Sequence, residues 1–136
     1  MNLESVEPNY LLAVAGGVAY FLLGWLWYAL IFQKAWMAAS GRTMEDMQGG
    51  PSALMALTFV AGIVTSVVVA FLYEWAGGDG VVDGIAVGAI IGIGVVAMEG
   101  LKAVVYDRHS WPLYAINNGY SVVGIVAAGA IYGAFA

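Results

Sequence analysis

The chain has 136 residues, of which 62% are hydrophobic and 10% charged, against about 45–50% and about 25% in soluble domains. A mean hydropathy of +0.88 with so few charges excludes an ordinary water-soluble globule, whose surface needs more ionised groups. Four Lys+Arg against nine Asp+Glu also exclude a basic stripe able to follow a phosphate backbone, so nucleic acid is not an expected partner.

Crossing roughly 30 Å of hydrocarbon takes about 20 apolar residues at about 1.5 Å each. Four stretches reach that length: residues 10–32, 53–73, 83–106 and 113–134. They are rich in Ala, Val, Leu, Ile and Gly, without the polar alternation of a porin strand. The expected fold is therefore all-α, an integral membrane four-helix bundle with short loops, forming one transmembrane domain over residues 1–136. Glu4 and Glu7 stand before the first stretch, where a signal peptide carries cations, so that stretch reads as a retained span.

Trp25, Trp27, Tyr28, Phe32 and Trp36 close the first span, and Trp111 and Tyr114 open the fourth; Tyr10, Tyr73, Trp75, Tyr132 and Phe135 sit at the opposite ends. Both sets read as interfacial belts. In the connection after span one, residues 34–39 suit an element lying on the membrane surface. Thr43 with Asp46 reads as a capping box for a short helix that Gly49, Gly50 and Pro51 would end. Residues 76–80 and 107–112 are tight turns, the second with Pro112 placed for the first turn of a helix.

Lys34 and Arg42 lie between spans one and two, and Lys102 and Arg108 near the junction of spans three and four; the other side has no cation. By the positive-inside tendency these connections face the cytoplasm, with both termini outside. Glu4, Glu7, Glu74, Asp79 and Asp83 then fall outside, so the net charge of −5 belongs to the outer face.

Membrane helices associate through close fit and polar contacts, because lipid is as apolar as Leu. Gly84, Gly88 and Gly92 form a small-residue stripe on span three. Asn117, Ser121, Gly124 and Ala128 form another on span four, with Gly129 and Gly133 as a separate face, and span two offers Thr58, Gly62 and Thr65. This surplus of seams points to a homo-oligomer or to contact with other membrane subunits. Regular helical spacing also puts Glu99 and Lys102 on the side of the glycine stripe, facing protein, and close enough to pair. One reading makes Glu99 a proton- or cation-binding carboxylate tuned by Lys102, with Asn117 and Asn118 adding amide contacts. The plainer one ends span three near Met98, lets both charges snorkel, and makes the asparagines helix glue.

There is no Cys and one His, His109. Disulfides, thiolate nucleophiles and the usual zinc sets are thereby removed, and no metal, cofactor or catalytic constellation is expected.

The run Gly24-Trp25-Leu26-Trp27-Tyr28, then Phe32-Gln33-Lys34-Ala35-Trp36-Met37, and later Ile116-Asn117-Asn118-Gly119-Tyr120 resembles the family known as domain of unknown function 1761. The resemblance extends to the order of four spans. It implies a small prokaryotic multi-pass protein of the plasma membrane, with Trp27, Tyr28, Lys34, Trp36, Asn117, Gly119 and Tyr120 as a shared corner at the inner interface. It implies no activity, and Gln33 replaces the small residue usual before the lysine. The leading expectation is thus a non-catalytic membrane protein, oligomer-forming or an accessory subunit of a larger complex. The alternative is a small proton- or cation-coupled transporter or channel using Glu99.

Overall fold

In the computed structural model, which describes residues 3–43, 45–46 and 52–136, every regular element among the described residues is helical. Helix α1 (Tyr10–Trp25) starts where the Asn9 side chain accepts the Leu12 amide at 3.1 Å, satisfying an otherwise orphan donor. It runs on through a π turn, Leu26–Ile31, closed by the Phe32 amide donating to the Trp27 carbonyl at 2.8 Å. Helix α2 (Gln33–Ser40) follows and stops at Gly41, whose φ of +71° makes a left-handed cap. Next come α3 (Ser52–Trp75), α4 (Val81–Ile91), a second π turn (Gly92–Ala97), α5 (Met98–Val105) and α6 (Trp111–Phe135). Ser110 caps α6 by accepting the Leu113 amide at 3.3 Å, with Pro112 in its first turn.

Tyr10–Ile31, Met55–Trp75, Val81–Val105 and Trp111–Phe135 are each long and apolar enough to cross a bilayer. They are spans one to four of a multi-pass membrane four-helix bundle. Thr43 and Asp46 form the reciprocal capping pair, at 2.9 and 3.3 Å; Gly49, Gly50 and Pro51 lie outside the described residues. Asp46 is otherwise in solvent, and the Thr43 amide, followed by the Thr43 hydroxyl, holds its carboxyl below the usual carboxylate range.

Span four is the hub, packing against all three others. Its Gly129 and Gly133 lie on Gly84 and Gly80 so closely that a Cβ on Gly84 would land on the Gly129 carbonyl, and one on Gly129 on the Gly84 carbonyl. Gly124 takes the ring of Tyr20 from span one, and Gly16 sits against Ala128. Gly17 of span one faces the Ile63 backbone of span two, 2.7 Å from where its Cβ would be. The glycines of spans one, three and four are thus used by three helix pairs within one chain, while Gly94 is left with open space around it.

One end of the bundle is pinned. Tyr132, 1% exposed, donates its hydroxyl proton to Glu74 Oε1 at 2.7 Å and accepts the Asn9 amide at 2.8 Å. The Tyr73 hydroxyl accepts the Gly80 amide at 2.8 Å, and the two tyrosine rings meet edge-on at 5.3 Å. Both chain ends and the turn at 76–80 gather here, called the outer end below. Tyr73 and Tyr132, expected in a belt, are buried, because their hydroxyls satisfy groups from three chain segments. Tyr10, Trp75 and Phe135 stay exposed as belt residues do, as Trp25 and Trp111 do toward the other end.

Candidate functional site: a polar groove in the inner half

Span four carries one continuous row at alternating four- and three-residue spacing: Tyr114, Asn118, Ser121, Ile125, Ala128 and Tyr132. Such a row stays on one face of a helix. Its outer half is core, with Ile125, Ala128 and Tyr132 each 1% exposed; Tyr132 packs with Ala70 and Tyr73 of span two. Its inner half is polar and only half-buried.

The cause lies in span two. It packs against α4 but hardly against the second π turn or α5, and its inner stretch leaves Ala53, Met55, Ala56, Leu57 and Thr58 all exposed. Four of these are consecutive and so cover a full helical turn; that end of the helix stands clear of the bundle. Toward the outer end Ala76 meets Ala86, Val87 and Ile90 of span three around a 240 Å³ crevice. Helical spacing carries the same flank inward through Leu72 and Thr65 to Thr58. The result is a shallow groove bordered by Tyr114, Asn118 and Ser121, all half-buried.

Polar groups along this row are hydrogen-bonded within the chain, the Ser121 hydroxyl meeting that of Tyr20 from span one as well as its own helix. Asn117 Oδ1 accepts the Tyr28 hydroxyl at 2.9 Å, and Ser121 Oγ donates to the Asn117 carbonyl at 3.3 Å. Asn118 Nδ2 donates to the Tyr114 carbonyl at 3.1 Å, while its amide presses on Gly100. Tyr114 donates to the Ala97 carbonyl at 2.6 Å. Among the described residues neither the Asn117 amide protons nor Asn118 Oδ1 has a partner, and no fully buried side-chain polar atom is left unpaired.

Glu99 and Lys102 pair at 2.6 Å, but with side chains 65% and 68% exposed. The expectation that both face the glycine seam is corrected, and the second π turn is the reason. A π turn fits one more residue into a turn, so the seam positions Gly84, Gly88 and Gly92 resume at Ala97 and Gly100, leaving Glu99 about 100° out of phase. Span three does not end at Met98 either; it continues to Val105. Glu99 and Asn117 are thus on different walls, and the four-residue polar set predicted from the sequence is not one cluster.

The inner corner does assemble. Trp27 Nε1 donates to the Ile116 carbonyl at 3.0 Å and its ring faces Gly119; Tyr28 lies against Trp36 and Tyr120 at 6.3 and 5.5 Å. Tyr120 donates to the Tyr20 carbonyl at 2.9 Å over Gly24. Trp36 is buried with Leu113 and Ile116, so α2 folds onto span four and not only onto lipid. Lys34 points away, exposed. Tyr20, which the sequence places between Gly16 and Gly24 on the packing face of span one, lays its ring on Gly124. No group of three or more metal-ligating side chains occurs among the described residues.

Residues 11–133 match the family model described as protein of unknown function (DUF1761). No curated protein and no solved structure matches the chain.

Proposed function

The chain belongs to the DUF1761 family, and we propose that it is a non-catalytic subunit of a membrane assembly in the prokaryotic plasma membrane. Both termini are outside, and the inner half of the bundle is an interface completed by a transmembrane helix of another chain. The observation that carries this is the polar, only half-buried inner half of the span-four row. An amide left in hydrocarbon costs on the order of a few kcal/mol unless it is hydrogen-bonded, and a helix bearing hydroxyl or amide groups supplies the missing partners. The exposed Glu99–Lys102 pair adds a second polar feature on the span that borders the gap. Among the described residues the row offers amides and hydroxyls but no acid–base pair, which favours docking over chemistry.

The test is native mass of the tagged chain in lipid nanodiscs. The expected result is a mass above the 14.2 kDa of one chain, with the excess lost on the combined change Asn118→Leu and Ser121→Leu while helicity is kept. A single chain in both cases would refute the reading.

Transport is the second reading, favoured by one feature: the gap is pinned shut at the outer end and open at the inner. Its carboxylate would be Glu99. Cation flux into proteoliposomes unchanged by Glu99→Gln would remove that residue from any such mechanism.

A further inference from the structure

Span three is clamped toward its outer end and loose toward its inner one. The outer part, α4, lies backbone to backbone on span four at Gly84 and Gly88. At Gly92 a Cβ would already stand 3.2 Å from its nearest neighbour, Val122 Cα, and Gly94 faces open space. The inner part, α5, buries none of its residues, and span two hardly touches it. Between the two parts stands the π turn Gly92–Ala97. We propose that α5 is a hinged arm, which swings about this π turn with the Glu99–Lys102 pair and is latched to span four by the Tyr114 hydroxyl. The proposal goes beyond the subunit and transport readings and is tested apart from both.

Three observations carry it. The first is the hinge. Through the π turn the helix ladder leaves its four-residue spacing, and at the exit the Met98 amide donates to the Val95 carbonyl, a three-residue bond. Such breaks are where helices bend, and Gly92 and Gly94 bring no side chain to resist it. The second is the latch. The Tyr114 hydroxyl, from the first turn of α6, donates at 2.6 Å to the carbonyl of Ala97, the last residue of the π turn. Among the described residues it is the side-chain hydrogen bond that ties the inner part of span three to span four. Span one supplies the contrast: its π turn is held by Trp27 on the Ile116 carbonyl, by Tyr28 on Asn117, and by the Tyr28 ring against Trp36 and Tyr120. The third is slack beyond the arm. Tyr106, Asp107 and Arg108 are exposed, and Arg108 has a φ of +55°, left-handed and disfavoured for a residue with a side chain. A turn of this kind takes up movement, as hinges do with a few residues at the ends of elements.

The chain has no Cys, so paired spin labels report its two ends separately. Val105→Cys with Leu30→Cys marks the inner ends of spans three and one, Leu30 lying in the π turn that is held fast. Val82→Cys with Leu11→Cys marks their outer ends; all four positions are exposed. Distances are read by pulsed electron paramagnetic resonance in lipid nanodiscs, in the wild-type background and with Tyr114→Phe, which keeps the ring and removes only the latch. The expected result at the outer ends is one narrow distance in both backgrounds. At the inner ends a second population should rise, or first appear, with Tyr114→Phe, by roughly two- to twelvefold for the loss of one net hydrogen bond. An inner distance as narrow as the outer one in both backgrounds would overturn the proposal, and so would a broad inner distribution that Tyr114→Phe leaves unchanged. Broadening at both ends would overturn it too, because Tyr114 would then hold the whole bundle and not an arm. Native mass and cation flux, which test the two readings of function, are decided independently of all these outcomes.

Discussion

Alanine replacing successive glycines of span three gives a graded test of the span three–span four seam. At Gly88 the new Cβ would sit 2.8 Å from the Ile125 carbonyl oxygen and from Val126 Cα, about 1 Å inside an ordinary contact of about 3.5–4.0 Å. Both neighbours are backbone, so the helices must part. A gap of about 0.5–1 Å forfeits a quarter to a half of each dispersion contact along the seam. With overpacking costs of about 1–3 kcal/mol as the general range, Gly88→Ala should cost about 2 kcal/mol. Gly84→Ala should cost about 3 kcal/mol or more, since its Cβ falls on the Gly129 carbonyl and near Gly133. At Gly92 the nearest atom is Val122 Cα at 3.2 Å; a few tenths of an ångström suffice, and about 1 kcal/mol or less is expected. Gly94 has nothing within 4 Å, so alanine there should be neutral or gain up to about 0.5–1 kcal/mol of helix propensity. The assay is unfolding by sodium dodecyl sulfate in mixed micelles, followed by far-ultraviolet circular dichroism, with each variant compared at the wild-type midpoint. A flat series, or Gly84→Ala as stable as Gly94→Ala, would refute the packing argument.

Tyr132→Phe removes a buried hydroxyl that serves Glu74 and Asn9 together; about 1.5–3 kcal/mol should be lost, and amide exchange at Asn9 should quicken. Equal exchange in wild type and variant would mean that the pin does not hold the N-terminal end. Tyr28→Phe leaves Asn117 Oδ1 without its donor and should cost about 0.5–1.5 kcal/mol in the same unfolding assay. By contrast, Glu99→Gln and Lys102→Gln should each change stability by less than about 1 kcal/mol, because the pair is largely exposed and screened. Asp46 has its folded pKa depressed by Thr43, so its contribution to the capping turn is present above the unfolded carboxylate pKa and fades as pH falls through the lower folded value. Protection of the Asp46 amide, taken relative to its intrinsic exchange rate at each pH, should fall on acidification in wild type, and Asp46→Asn should flatten that dependence.

Local chemistry and the thickness of hydrocarbon made much of this protein legible before any coordinates. Uninterrupted apolar length gives four spans, because a backbone in lipid must satisfy its own hydrogen bonds. Thr43 and Asp46, Pro112 in a first helical turn, and the Gly84–Gly88–Gly92 stripe are readable because each depends on neighbours within about one turn or on a fixed helical spacing. The inner corner, by contrast, came from the resemblance to the family: the aromatic cluster alone reads as an interfacial belt, and it is the fold that sets Gly119 opposite Trp27.

What the sequence left open depended on phase and on distance between helices. The π turn at Gly92–Ala97 moves Glu99 off the seam that regular spacing assigns it, and one extra residue in a turn has no sharp signature in composition. Which small face meets which helix, the burial of Tyr73 and Tyr132, and the gap beside Asn118 and Ser121 follow from where span two leans. That lean is set by contacts between residues far apart in the chain, Tyr73 with Tyr132 among them. Sequence thus determined how many helices there are and where they start and stop, while tertiary packing decided that the bundle closes at one end and leaves a polar row half-buried at the other.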